Sequence, residues 1–298
     1  MSFHLSVTKE RRQVADGDAS ASLVSPEISV VVPVYRNADT LRELHRRLRR
    51  TMTERQLSYE IIFVEDCCPA GSLEVLKELA QRDARAAVLS LAANVGQHSA
   101  VLVGLRYSRG RWTIVMDADL QDPPEAVPLL LDAADESVGA VFAGRRGRYE
   151  SFSRLLTSRL FKGLLHLLCG VPRDAGIFVA LSRPLVERLL KMRAGRPFVV
   201  SMIGCAGLPM LSLPVERSRR ATGESAYNFR GRLRSASRAI VWVLRWKLQR
   251  IWPSRLASSA SGDESQVASF FGRRFDEPES ELADRRVRAS SAAKKIQR

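Results

Sequence analysis

The chain has 298 residues, 45% of them hydrophobic, which allows one large or two ordinary domains with a substantial core and excludes disorder throughout. A formal charge of +15 and a pI near 10.5 point to an anionic partner: nucleic acid, a membrane surface or a phosphorylated small molecule. Four cysteines (Cys67, Cys68, Cys169, Cys205) form no CxxC pair and have no histidine at zinc-site spacing, so neither a zinc site nor a disulfide framework is indicated and a reducing, cytosolic setting is expected.

Residues 1–26 are polar and rich in small side chains, without an apolar stretch of signal-peptide length, and read as a disordered arm. The domain opens near Glu27 with EISVVVPVY, a strand expected to stop at Pro33. In RNADTLRELHRRLRRTM, Leu41, Leu44, Leu48 and Met52 have helical spacing, and YEIIFVED is a second β-rich run. A helix in SLEVLKELAQRD, a strand in AAVLSL, a helix in GQHSAVLVGLRYSRG and a strand in WTIVM follow. Next come a helix at PPEAVPLLLDAADE, a strand at VGAVFAG, a basic loop at RRGR and an amphipathic helix at SFSRLLTSRLFKGLLHLLCGV. Phe198 to Val215 is uncharged and close to membrane-spanning length, but Gly204, Gly207, Pro209 and Pro214 divide it, and buried strand and turn are expected there.

Residues 240–253 are too short and too charged to span a bilayer. They read as a basic amphipathic helix with Ile240, Val243, Leu244, Leu248 and Ile251 on one side and Trp242, Trp246 and Trp252 among them. Such a helix either lies in a membrane interface or packs on the sheet. It ends a segment, Glu216–Arg250, with ten Lys/Arg against two Glu, more than half of the chain's excess charge. Residues 254–298 mix nine basic and seven acidic residues with serine and alanine, and read as a disordered tail with little apolar material outside FFGRRF.

Strands alternating with helices specify an α/β fold, a Rossmann-like, mostly parallel sheet with helices on both faces. In such sheets ligands bind beyond the carboxyl ends of the strands. Those ends carry Pro33, Tyr35 and Asn37; Glu65 and Asp66; Asn94 and Gly96; and Asp117, Asp119 and Gln121. Two carboxylates one residue apart, with an amide oxygen two residues on, are hard ligands suited to Mg²⁺ or Mn²⁺ beside a diphosphate. The alternative is that Asp117 and Asp119 only begin a turn and cap the helix opened by Pro123 and Pro124.

The motifs PVYRN, VEDCCPAGS, NVGQHSA with a downstream GL, DADLQDPPE and RRATGESAYNF occur in that order. Together they resemble the family 2 glycosyltransferases of the A-type fold, in the branch with dolichyl-phosphate mannose synthase and the bacterial polyprenyl-phosphate glycosyltransferases. The resemblance covers residues 27 to about 240, which reads as the glycosyltransferase domain. It implies nucleotide-sugar binding by Pro33, Tyr35, Asn37, Asp66, Asp117, Ala118, Arg145, Arg220 and Ser225. It implies a metal on Asp117, Asp119 and Gln121, and catalytic roles for Asp119, Asp174 and Arg220. Ala226 stands where the late motif commonly has lysine, Ile177 and Val179 where polar or basic residues are frequent, and Gln97 follows the bacterial branch.

The expected reaction is a metal-dependent, inverting transfer of a sugar from a nucleotide-diphosphate sugar to a polyprenyl phosphate. That acceptor is already an anion at neutral pH and needs no strong base. A hydroxyl acceptor would need one, with Asp174 and Asp122 as the candidates. The enzyme is expected in the cytoplasm, peripheral on an anionic membrane surface, with no obligate protein partner. Nucleic-acid binding through the basic segment is the non-enzymatic alternative, disfavoured because its arginines coincide with a phosphate-site motif and no nucleic-acid module appears.

Overall fold

The computed structural model describes residues 26–146, 152–192, 197–217, 237 and 239–248, and the strand backbone at 267–271. β1 (Ile28–Val34) is buried along its whole length, as a central strand covered on both faces must be. Val30, Val32 and Val34 pack with Leu41, Leu44, Leu48 and Met52 of α1 (Ala38–Glu54). Val31 belongs to the opposite face, with Val101 and Leu105 of α3 (Gln97–Tyr107). The two-residue period of the strand thus supplies two cores, one on each side of the sheet.

β2 (Tyr59–Glu65), α2 (Ser72–Arg82), β3 (Ala86–Leu91) and β4 (Trp112–Val115) complete the first half. A 3-10 turn at Pro124–Ala126 leads into α4 (Val127–Asp132), followed by β5 (Ala140–Arg146), α5 (Phe152–Cys169), β6 (Val179–Ser182) and α6 (Arg183–Lys191). α7 (Val199–Cys205), β7 (Met210–Glu216), a helical segment α8 (239–248) and β8 (Val267–Phe271) follow.

The sheet order is β7-β5-β6-β4-β1-β2-β3-β8. β1 is parallel to β2 and β4, β2 to β3, and β5 to β7, whereas β6 is antiparallel to β4 and β5, and β8 to β3. Every strand except β6 and β8 therefore runs the same way, and the carboxyl ends of β1, β2, β3, β4, β5 and β7 share one edge. The strand continues past Pro33 to Val34, because β4 leaves β1 after the Val31–Val115 pair while β2 stays paired to the end. There the missing N–H of Pro33 interrupts no ladder.

Two expectations are corrected. The run Phe198–Val215 is not strand throughout: Val199–Cys205 is helical and buries Val199, Met202 and Ile203 on the sheet face shared with α3 and α6. Tertiary packing overrides the β preference of its valines and isoleucine there. The tail does not lack structure throughout either, because Val267–Phe271 pairs with β3 and covers what would otherwise be an open sheet edge. A composition averaged over 254–298 conceals that short β-prone run; the rest of the tail, and residues 1–25, lie outside the described residues. Among the described residues no helix is long and apolar enough to cross a membrane.

α3 lies so close to the sheet that a Cβ at Gly104 would come within 2.3 Å of Val31 Cγ1 and 3.0 Å of Val64 Cγ2. This is the glycine of the GL downstream of NVGQHSA. Gly104→Ala is expected to cost about 1–3 kcal/mol by lifting α3 from β1 and β2. Urea denaturation checks this, and a variant as stable as the wild type contradicts the close approach.

Candidate functional site

Four loops meet at the carboxyl edge, tied by side chains that take up backbone N–H groups. Asp66, after β2, accepts from the Val95 amide at 2.7 Å on Oδ1 and from the Gly96 amide at 2.9 Å on Oδ2. Asn94 Nδ2 returns a bond to the Asp66 carbonyl at 3.1 Å. Burial pushes the Asp66 carboxyl up, against the pull of those two amides. Glu65 beside it accepts from Ser90 Oγ at 2.8 Å and from the Cys68 amide. The loops after β2 and β3 are thereby one unit.

The loop after β1 joins them. The Arg36 amide donates to Cys68 Sγ at 3.0 Å, and Asn37 Oδ1 accepts from the Tyr35 amide at 3.3 Å. Tyr35 is exposed, with the Arg36 guanidinium 5.4 Å from its ring centroid, whereas Pro33 is buried within β1. Thr40 Oγ1, in the first turn of α1, donates at 2.6 Å to the carbonyl of Ala118, which places the central residue of DAD against α1. Arg36, Cys67 and Leu120 all have positive φ without being glycine, one in each of the loops after β1, β2 and β4. Left-handed backbone at such residues is costly and concentrates at functional loops.

DADLQD is held from both sides. Gln97 Nε2, opening α3, donates to Asp117 Oδ1, and Asp119 Oδ1 accepts from the Gln121 amide at 3.1 Å. Asp122 pairs bidentately with Arg217, at the end of β7, with contacts of 2.5 and 2.8 Å. Both partners are largely buried, so Asp122 is engaged well beyond capping the next helix. Burial opposes the charge of Arg217, but Asp122, with Asp117 and Asp119 beyond it, raises its pKa on balance.

Asp174 occupies another part of the edge, accepting from Ser212 Oγ of β7 at 2.8 Å. It lies over Gly144 of β5, where a Cβ would come within 2.1 Å of Asp174 Oδ2. The next residue, Arg145, pairs with Val215 of β7. Arg220 and Ser225 lie outside the described residues. Arg217, Gln97, Thr40 and His98 were not singled out as site residues in the sequence. Only Gln97 carried a signal, its place in NVGQ.

Among the described residues no three His, Cys, Asp or Glu side chains form a metal cage by themselves. Asp117, Asp119 and Gln121 offer two carboxylates and an amide, which fits a cation that completes its shell with water and phosphate oxygens. The bonds from Gln97 and from the Gln121 amide do not prevent ligation, since an ionised carboxylate has about four lone-pair sites.

Residues 29–190, more than half of the chain, match the family described as Glycosyl transferase family 2. The chain belongs to glycosyl transferase family 2. Among relatives of this family 2 chain is an undecaprenyl-phosphate 4-deoxy-4-formamido-L-arabinose transferase of Edwardsiella ictaluri, 34% identical over 67% of this chain and 62% of the relative. The chain thus spans about three fifths of that relative's length. Mannosyl-3-phosphoglycerate synthase from Rubrobacter xylanophilus superposes with a TM-score of 0.55 at 18% identity, over 80% of this chain and 79% of the other. Glucosyl-3-phosphoglycerate synthase from Mycobacterium tuberculosis, in complex with Mn²⁺, UDP and phosphoglyceric acid, gives 0.54 at 19% identity over 74% and 77%. These likenesses establish the glycosyltransferase A-type fold.

His98 follows Gln97 in the first turn of α3. The residue is partly exposed, yet its Nδ1 is buried without a hydrogen-bond partner among the described residues, and its ring centroid is 4.4 Å from that of Phe198. Burial lowers its pKa from 6.5 to about 4, so the imidazole is neutral at pH 7.

Two outcomes follow from these contacts. Arg217→Ala leaves the Asp122 carboxylate buried without its partner and is expected to cost about 3–5 kcal/mol, with Asp122→Asn in the same chain recovering part of the loss. A double-mutant cycle in urea checks it. For His98, the unfolded chain takes up a proton that the folded chain refuses, so its contribution is intact above its unfolded pKa and is lost as pH falls toward 4. Wild type should lose stability relative to His98→Phe by up to about 3 kcal/mol over that window. A pH-independent difference between the two proteins contradicts the burial of the imidazole.

Proposed function

We propose that the chain transfers a sugar, with inversion, from a nucleotide-diphosphate sugar to a polyprenyl phosphate, using Mg²⁺ or Mn²⁺. The observation that carries this reading is the meeting of DADLQD with the loops after β1, β2 and β3 and with the end of β7 at one sheet edge. Pro33, Tyr35, Asn37 and Asp66 border the nucleotide end of this edge, and Asp117, Ala118, Asp119 and Gln121 border the diphosphate. Asp117, Asp119 and Asp122 bring three carboxyl groups to this edge, with Arg217 paired to Asp122. A diphosphate brought to such a surface requires positive charge, which Arg145, Arg220 and a cation on Asp117, Asp119 and Gln121 would supply, with Ser225 in the same late motif as Arg220. Bound there, the cation neutralises charge on the departing nucleoside diphosphate.

The printed name of the Edwardsiella relative specifies undecaprenyl phosphate, and this supports a lipid phosphate as acceptor here. Such an acceptor brings its own nucleophilic oxygen. The role left to the protein is to hold that oxygen in line with the anomeric carbon. Asp122 is unsuited to act as a base, because Arg217 engages both of its oxygens. Asp174, held by Ser212 over Gly144, is then the base if the acceptor is a hydroxyl.

Attachment to an anionic membrane surface on the cytoplasmic side belongs to the same reading. On α8, Val241, Leu244 and Leu248 are 47%, 44% and 55% exposed, beside the exposed Arg245 and Lys247. On α5, which packs against α8 through Leu165 and Val243, Leu164 and Leu167 are 37% and 80% exposed. Basic residues beside an aliphatic surface suit an interface of anionic headgroups and acyl chains.

Undecaprenyl phosphate supplied with a panel of nucleotide sugars and Mn²⁺ is expected to yield a lipid-linked sugar, detected by mass spectrometry. Asp119→Ala should lower turnover by about a hundredfold or more, and chelation should abolish it. Full activity in that variant or in chelator overturns the assignment. Sedimentation with phosphatidylglycerol vesicles at low salt tests the attachment, and protein that stays in the supernatant sinks it.

A further inference from the structure

The first turn of α3 stands between two environments. Gln97 reaches Asp117 of the DADLQ loop. The next side chain, His98, contacts Phe198 at a 54° interplanar angle, and Phe198 in turn meets Phe161 of α5 edge-on at 5.9 Å. Phe161 and Phe198 belong to one cluster with Leu165, Val243, Trp242 and Trp246. An apolar, aromatic wall therefore runs from His98 to α8, starting one residue from the contact to the acidic loop.

In this position His98 Nδ1 is buried and has no hydrogen-bond partner among the described residues. Buried polar atoms are nearly always satisfied, so an orphan beside a candidate site asks for a ligand group. A helix start adds unpaired N–H groups and a positive dipole end, which favour an anion. The wall beyond it is suited to a hydrocarbon. A molecule with a phosphate at one end and an isoprenoid chain attached matches both halves.

We propose that His98 is a positioning and specificity residue for the acceptor, its Nδ1–H donating to the phosphate of a polyprenyl phosphate whose first isoprene units displace Phe198 and lie along the Phe161–Trp246 wall. This deepens the proposed function and rests on it. The contact orients the phosphate and involves no proton transfer. In the proposed function the donor nucleotide lies on the loops after β1 and β2, to which His98 does not belong.

The test compares wild type, His98→Phe and His98→Asn with undecaprenyl phosphate in detergent and the donor that the panel identifies. The KM for undecaprenyl phosphate is expected to rise about tenfold or more in His98→Phe, the size of one lost hydrogen bond to a charged group. The KM for the donor should stay within about twofold. His98→Asn keeps a polar atom near the position of Nδ1 and should recover much of the acceptor KM. Independently of turnover, undecaprenyl phosphate should change the fluorescence of the stacked Trp242–Trp246 pair in wild type and His98→Asn at concentrations where His98→Phe does not respond. His98→Phe should melt no lower than wild type, because it removes an unsatisfied buried atom. An active wild type whose acceptor KM and fluorescence titration are unchanged in His98→Phe overturns this inference alone. A wild type that neither turns over nor binds undecaprenyl phosphate overturns it together with the proposed function.

Discussion

Backbone N–H groups must find partners wherever a parallel strand runs out of neighbours, and in this chain side-chain acceptors at the carboxyl edge provide them. Asp66 takes the amides of Val95 and Gly96, Glu65 that of Cys68, Asn37 that of Tyr35, and Asp119 that of Gln121. Each bond fixes a loop, and several fix one loop to another. Without them the edge would be a set of independent turns. With them, the loops after β2 and β3 form a rigid border, and the loop after β4 is clamped between α1, α3 and the end of β7.

The same bonds divide the acidic residues of the edge by task. Asp66 and Glu65 are buried and have backbone or hydroxyl donors on both oxygens, so their first effect is to shape this part of the edge rather than to carry charge to it. Asp122 is spent on Arg217, which couples the DADLQD loop to the strand leading into the late basic segment. Asp117 and Asp119 lie beside this pair, near enough for their charge to act on Arg217. Three non-glycine residues with positive φ at these loops indicate that the fold accepts local strain to hold this arrangement.

The fold was readable because its two periodicities are strong. Leu41, Leu44, Leu48 and Met52 mark α1 without ambiguity, and β1 is apolar on both faces. α7 was not readable: a short apolar run that packs on a sheet has the composition of a strand, and only its neighbours decide. β8 was hidden for a related reason, since five residues do not change the character of a polar tail. At the site, the DADLQ cluster was legible because polar residues end the neighbouring strands at the same edge and the other motifs accompany it in order. Arg217 did not, because it is one arginine among ten basic residues, and what distinguishes it is a partner ninety-five positions away. The orphaned Nδ1 of His98 has no sequence signature at all, because burial and the lack of a partner are properties of packing.

α8 shows how packing chooses between two readings of one helix. Its sequence offers an aliphatic stripe and a tryptophan stripe, and spacing alone assigns Val243 and Leu244 to the same side. In the fold Val243, Trp242 and Trp246 turn toward α5 and α7, while Val241, Leu244 and Leu248 stay out. The large indole rings remove more apolar surface from water than leucine or valine, so burying them is the more favourable choice. The inward stripe joins Phe198 and, through it, His98 beside the acidic loop. The outward stripe stays exposed, as do Leu164 and Leu167 of α5. One helix therefore borders both the interior aromatic wall that starts at the candidate site and, through Val241, Leu244 and Leu248, the outer surface.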